Sequence, residues 1–163
     1  MAPAQASLLA KLDTQERVRD FLTNAVASGR ASHAYLFLGA PGAGKLDAAW
    51  ALAQAFLCEQ NGCGACDSCV RVARHTHPDV HYYTPESATG YLIAQTRELL
   101  DDVPLAPIRA KAKVYIIDRA EQLRANTANA LLKTLEEPPE GVMFILLGTS
   151  ADVMLPTIVS RCQ

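Results

Sequence analysis

The stretch Tyr35-Leu36-Phe37-Leu38-Gly39-Ala40-Pro41-Gly42-Ala43-Gly44-Lys45-Leu46 constrains the chain more than any other. Four apolar residues in unbroken succession predict a strand covered on both faces, as in parallel sheets, and Gly39 predicts where it stops. From Gly39 the pattern G-x-x-x-x-G-K is complete, with Gly39, Gly44 and Lys45 in place and Pro41, Gly42 and Ala43 between them. Glycines at this spacing let the backbone turn tightly and aim successive N–H groups inward. The helix that follows adds the positive end of its dipole, and Lys45 can reach the outer phosphate oxygens of a nucleotide. The next position breaks the pattern. Leu46 stands where a hydroxyl would hold Mg²⁺, and it offers no oxygen to a hard cation. The loop is expected to hold phosphate and to be poorly equipped to cleave it.

With 163 residues, 50% of them hydrophobic, the chain is long enough for one ordinary domain, or one and a small module, and is expected to fold alone. Fifteen Lys and Arg against seventeen Asp and Glu give a net charge of −2, so there is no global basic surface to drive autonomous nucleic-acid binding. No apolar run approaches the ~20 residues that span a bilayer, and no basic segment followed by an apolar one opens the chain. The expectation is a cytoplasmic protein.

Residues 8–29 carry a helical pattern in Leu8, Leu9, Leu12, Val18, Phe21, Leu22 and Val26, interrupted near Asp13-Thr14 and ended by Gly29. Gln15 and Arg17 read as part of a solvated face. After the strand at 34–38 and a helix at 44–57, whose Ala48, Ala49, Ala51, Leu52 and Phe56 are expected on the sheet, come a strand at 80–84 and a helix at 93–103. A third strand, 114–118, ends in Asp118. A strand-terminal aspartate beside a phosphate loop usually holds metal through water, although capping of the next turn is an equal alternative. Arg119 follows where a hydrolase places a glutamate, and Glu121 comes two residues later. A helix at 126–136 is closed by Pro138-Pro139, a fourth strand at 143–147 leads to Gly148-Thr149, and a last helix starts at Pro156. The halt at Gln163, directly after Ser160-Arg161-Cys162, reads as a cut.

Cys58, Cys63, Cys66 and Cys69 have the spacing C-x4-C-x2-C-x2-C, with Gly62 and Gly64 allowing a tight fold. Crowding of this kind suits a reducing compartment and a metal better than disulfides. Four thiolates make the common closed, tetrahedral structural zinc site, and no position is left open for water chemistry. An iron–sulfur cluster shares the C-x2-C-x2-C core but lacks its C-x3-C-P ligand here. His75 or His77 is near enough to replace one thiolate, and Cys162 reads as a small buried residue.

These features together resemble the bacterial DNA polymerase III clamp-loader subunits. The resemblance rests on His33-Ala34-Tyr35-Leu36-Phe37, the phosphate loop, the four-cysteine insertion behind its helix, the run from Asn129 to Pro139 with its Leu-Glu-Glu-Pro-Pro ending, and the run from Leu155 to Cys162. It covers residues from about 15 to the end, and the combination is far more specific than the loop alone. It implies an α/β fold, a P-loop NTPase-like (AAA+) parallel sheet flanked by helices, spanning 1–163 with a small inserted zinc module at 58–69. The family's lid and collar domains would then be missing after Gln163.

Two branches share the motifs, the gamma/tau ATPase and the delta-prime subunit, which holds the assembly together without hydrolysing ATP. The ATPase has threonine after the loop lysine and glutamate after the strand-three aspartate. Leu46 and Arg119 depart from both, which points to delta-prime. The resemblance further gives Arg161 the role of an arginine finger reaching ATP on a neighbouring subunit, and Thr149 that of a polar sensor, here vestigial. It implies a hetero-pentamer with gamma/tau and delta subunits that places the sliding clamp on primed DNA, and zinc as structural cofactor. ATP or ADP would bind weakly or not at all. The rival readings are a gamma-type ATPase, favoured by the intact glycines and Lys45, and a small-molecule kinase with a zinc-stabilised lid.

Overall fold

A computed structural model describes residues 7–163, so the first six residues of the expected domain lie outside the described residues. Four strands, β1 (Ala34–Leu38), β2 (Val80–Tyr83), β3 (Lys113–Ile117) and β4 (Val142–Gly148), form one sheet in the order β1-β4-β3-β2. All three neighbouring pairs are parallel. Parallel neighbours need crossovers, and helices supply them. Helix α1 (Glu16–Ala27) precedes the sheet, α2 (Lys45–Leu57) and α3 (Asp67–Ala73) link β1 to β2, and α4 (Ile93–Asp102) links β2 to β3. The last two are α5 (Ala125–Glu136), between β3 and β4, and α6 (Pro156–Val159) after the sheet.

Every residue of β3 and β4 is buried, because both strands are central and helices cover both faces. Their alternation divides the core. Val114, Ile116, Met143, Ile145 and Leu147 pack with α1, α2 and α3, whereas Tyr115, Ile117, Phe144 and Leu146 pack with α4, α5 and α6. The expectation that β1 is covered on both faces is corrected: Ala34 and Tyr35 are buried, but Leu38 is 42% exposed. The cause is position, since β1 lies at the edge of the sheet. Its outer side meets the backbone of Gln163, whose N–H donates to the Ala34 carbonyl at 3.0 Å and whose carbonyl accepts from Leu36 N–H at 2.8 Å.

The helix expected over 8–29 is two pieces, a 3-10 turn at Leu9–Lys11 and then α1, divided around Asp13-Thr14. Phe21, part of the expected apolar pattern, is 53% exposed, and the buried residues of α1 are Leu22 and Val26. Helix α2 is buried nearly all round, between the sheet on one side and α1 and α3 on the other. Its alanines let the neighbours approach. Gln54, a buried amide on α2, donates from Nε2 to the Cys69 carbonyl at 3.1 Å and accepts from Leu8 N–H at 2.9 Å, so both ends are satisfied. No described helix is long and apolar enough to cross a membrane.

Candidate phosphate cleft and cysteine cluster

At the carboxyl ends of β1, β3 and β4 a cleft of about 400 Å³ opens, the place where ligands bind in open parallel sheets. It is lined by Pro41, Gly42, Ala43, Gly44, Lys45, Leu46, Asp47, Asp118, Arg119, Glu121 and Thr149. The loop, Asp118 and Thr149, spread over more than a hundred residues of sequence, thus line one cleft. Gly39 sits beneath it, its N–H on the Gly148 carbonyl of β4 and its own carbonyl accepting from Lys45 Nζ at 2.5 Å. Gly44 caps α2 with φ +90°, a left-handed conformation that a side chain would strain. The first turn of α2, whose N–H groups have no partner within the helix, lines the cleft.

Asp118 has both carboxylate oxygens engaged. Oδ2 accepts from the Tyr82 hydroxyl at 2.8 Å, and Oδ1 accepts from the adjacent Arg119 N–H at 2.9 Å; the 3-10 turn that follows, Ala120–Gln122, has Arg119 as its N-cap and no side-chain cap. Tyr82 comes from β2, next to β3. Burial first, then Asp118, pushes its pKa up and keeps it a donor. Behind them Tyr91 donates to the carbonyls of Tyr83, at 3.0 Å, and Asp118, fixing the end of β3. Gly90 allows this, since a Cβ there would meet the Gln122 carbonyl at 2.7 Å. Arg119 takes a left-handed backbone conformation, φ 46° and ψ 53°, and its guanidinium has no hydrogen-bond or ion-pair partner among the described residues. Glu121 places a buried carboxylate oxygen, Oε2, without a partner at the cleft. Sequence spacing did not single out Tyr82 or Tyr91, because only the pairing of β2 with β3 brings them to Asp118.

Leu46 supplies no oxygen to a hard cation, and each Asp118 oxygen already accepts one protein hydrogen bond, so the loop lacks the hydroxyl ligand of a complete P-loop magnesium site.

The four cysteine sulfurs lie within 4.8 Å of one another, with Cys63 to Cys69 at 3.9 Å and Cys58 to Cys66 at 3.8 Å. A tetrahedron with metal–sulfur bonds of about 2.3 Å has sulfur–sulfur edges of about 3.8 Å, so the set fits a cation of zinc's size. Backbone N–H groups orient the sulfurs: Gln60 and Cys63 donate to Cys58, Ala65 and Cys66 to Cys63, and Cys69 to Cys66. Helix α3, absent from the sequence reading, begins inside the module with Cys66 as its N-cap. Burial raises the Cys58 thiol, but the donors from Cys63, Gln60 and Gly62 outweigh it and bring it down to about 6. The N–H groups of Ala65 and Cys66 lower Cys63, whereas burial pushes Cys66 and Cys69 up. A cation would displace those last protons.

Neither histidine joins the set. His77 accepts from Asp79 N–H through Nδ1 at 3.0 Å, and its Nε2 lies 3.4 Å from Ser68 Oγ. His75 stacks on Trp50, with ring centroids 3.9 Å apart and planes 10° from parallel, and Trp50 in turn lies 6.1 Å from Tyr82. Cys162 packs partly buried beside α5 and α6, where burial raises its thiol to about 11. Arg161 does not line its own chain's cleft. It is held at the surface, Nε and Nη2 on Glu136 and Nη1 on the Thr157 carbonyl at 2.9 Å.

A parallel β1-β4-β3-β2 sheet with a phosphate loop after β1 and an aspartate at the tip of β3 defines a P-loop nucleotide-binding fold of the AAA+ type. Residues 14–163 match the family described as DNA polymerase III, delta subunit, and the chain belongs to that family. It is 41% identical over 154 residues to DNA polymerase III subunit delta' of Bacillus subtilis, covering 93% of this chain and 46% of that protein. It is 43% identical over 152 residues to subunit tau of Escherichia coli, covering 91% of this chain and 23% of the relative. The chain therefore spans less than half the length of these relatives. In fold it is similar to the gamma subunit-related protein of Thermotoga maritima, at a TM-score of 0.63 and 22% identity over 88% of this chain and 43% of that one.

Proposed function

We propose that residues 1–163 are the AAA+ core, with the metal module at 58–69, of a delta-prime (stator) subunit of a bacterial clamp loader. In this reading the chain works in the cytoplasm in a hetero-pentamer with gamma/tau and delta subunits, which places the sliding clamp on primed DNA. The cysteine cluster carries structural zinc. Arg161 acts in trans, donating to the terminal phosphate of ATP held by the adjoining subunit, for which an always-charged, forked guanidinium is suited.

The observation that carries this reading is the chemistry at the cleft. A nucleotide-shaped site has lost its metal hydroxyl at Leu46 and holds Arg119 where a base would polarise water, while Tyr82 and Arg119 N–H occupy Asp118. Loss of a positioned base alone removes typically ~10²–10⁴-fold in rate. The purified chain is accordingly expected to show no ATP turnover with Mg²⁺, and Arg161→Ala is expected to leave folding intact while slowing turnover of the reconstituted assembly by ~10³-fold or more. Turnover by the chain itself that disappears in Lys45→Ala would instead establish the second reading, a gamma/tau-type ATPase. That reading is favoured by the intact loop with Lys45 and by the 43% identity to a tau subunit.

A further inference from the structure

We propose that Glu136 is a positioning residue for Arg161: it holds the guanidinium at a fixed place and angle on the surface, ready for the phosphate of an adjoining subunit. This rests on reading Arg161 as acting in trans, and it adds the part of the chain that makes that arginine effective. The Leu-Glu-Glu-Pro-Pro ending of α5 lies outside the lining of the phosphate cleft, so the nucleotide site does not account for it.

Both partners are mounted on the start of β1. Pro138 disfavours a helical residue before it, so α5 stops with Glu136 as its last residue. Leu135, buried beside it, has its carbonyl accepting from His33 Nε2 at 2.8 Å, which fixes the helix end against the strand. Arg161 is set from the other side. Its N–H donates to the Ile158 carbonyl at 3.1 Å, and Gln163, two residues on, pairs with Ala34 and Leu36 of β1. The side chains then meet: Nε, at 3.0 Å, and Nη2 both donate to Glu136 Oε1, while Nη1 donates to the Thr157 carbonyl at 2.9 Å. Three stretches far apart in the sequence thus converge on one guanidinium.

The mounting leaves the arginine usable. A guanidinium carries five N–H bonds, and beyond the three above only a long contact of Nη1 with Ser160 Oγ is made, at 3.4 Å, so the end of the fork keeps donors for a phosphate. An arginine free to swing loses the rotamer freedom of a long side chain each time it engages, whereas a held one has given most of it up on folding. The pair is half exposed, and exposed ion pairs add little stability, so what the contact contributes is orientation.

The test is ATP turnover of the assembly reconstituted with gamma/tau and delta subunits, comparing Glu136→Ala, Glu136→Gln, Arg161→Ala and the Glu136→Ala, Arg161→Ala double variant. Glu136→Ala is expected to lower kcat about tenfold with KM for ATP little changed, since a held guanidinium counts in the transition state. Glu136→Gln keeps an oxygen acceptor on the same stem and is expected to recover most of the loss. In the double variant the effect of Glu136→Ala is expected to vanish, and the melting temperature of the chain to stay where it is in both Glu136 variants. A merely structural role would give the same loss with or without Arg161. An unchanged or faster rate in Glu136→Ala, or an undiminished loss on adding it to Arg161→Ala, overturns the proposal. Arg161→Ala decides the reading beneath it separately: slow turnover there with full turnover in Glu136→Ala leaves Arg161 acting in trans and removes only the role of Glu136.

Discussion

Each cysteine of the cluster is one vertex of a tetrahedron whose other interactions are backbone N–H groups, so single substitutions should act on the metal before they act on the fold. Cys63→Ser is expected to reduce zinc from about one per chain to a small fraction, measured by elemental analysis after dialysis. The sign with pH follows from the protons. Cys66 and Cys69 hold theirs tightly, and the cation must replace them, so zinc affinity falls as pH drops from about 8 to about 6. A competition titration with a chromophoric chelator at the two values measures this. The gathering of the four cysteines was legible in the sequence because their spacing is local. The exclusion of His77 was not, because it depends on Ser68 and Asp79 closing around the ring.

Among the elements, the segment between α4 and β3 is tied down by one carboxylate. Asp79, fully buried just before β2, accepts from the N–H groups of Ile108, Arg109 and Ala110 at 2.6, 2.7 and 2.7 Å. Burial works against the charged form, but these three donors outweigh it and hold Asp79 below the usual carboxylate range. The folded pKa is lower than the unfolded one, near 3.9, so the stabilisation is complete above about pH 4 and is lost as pH falls through the folded value. Asp79→Asn, which removes the charge and turns an N–H₂ toward donors, is expected to cost about 1–3 kcal/mol in urea denaturation at neutral pH and to flatten the acid limb of the stability curve. Sequence periodicity located the elements themselves well, since β2, β3, β4, α2, α4 and α5 each fall within two residues of their expected bounds. What it could not supply was coverage. The apolar run of β1 looks like those of β3 and β4, and only strand order makes it an edge.

At the scale of the molecule, the sheet is a partition between two apolar cores, and β4 feeds both by alternation. Phe144, fully buried and stacked on Tyr115 at 5.3 Å, anchors the α4–α6 side, so Phe144→Ala is expected to destabilise the whole chain by about 3–5 kcal/mol in urea denaturation. The cleft is likewise a product of the whole: the loop was evident from its glycines, but Tyr82 reaches Asp118 only because β2 pairs with β3. Trp50 is the chain's one tryptophan, and it lies against His75 at the end of α3 on one side and toward Tyr82 on the other. Its indole is thus a built-in fluorescent reporter at the seam between the cysteine module and the cleft. Stripping the metal would loosen α3 and lift the imidazole from that ring, so the chain's own ultraviolet emission would record the event without any added dye.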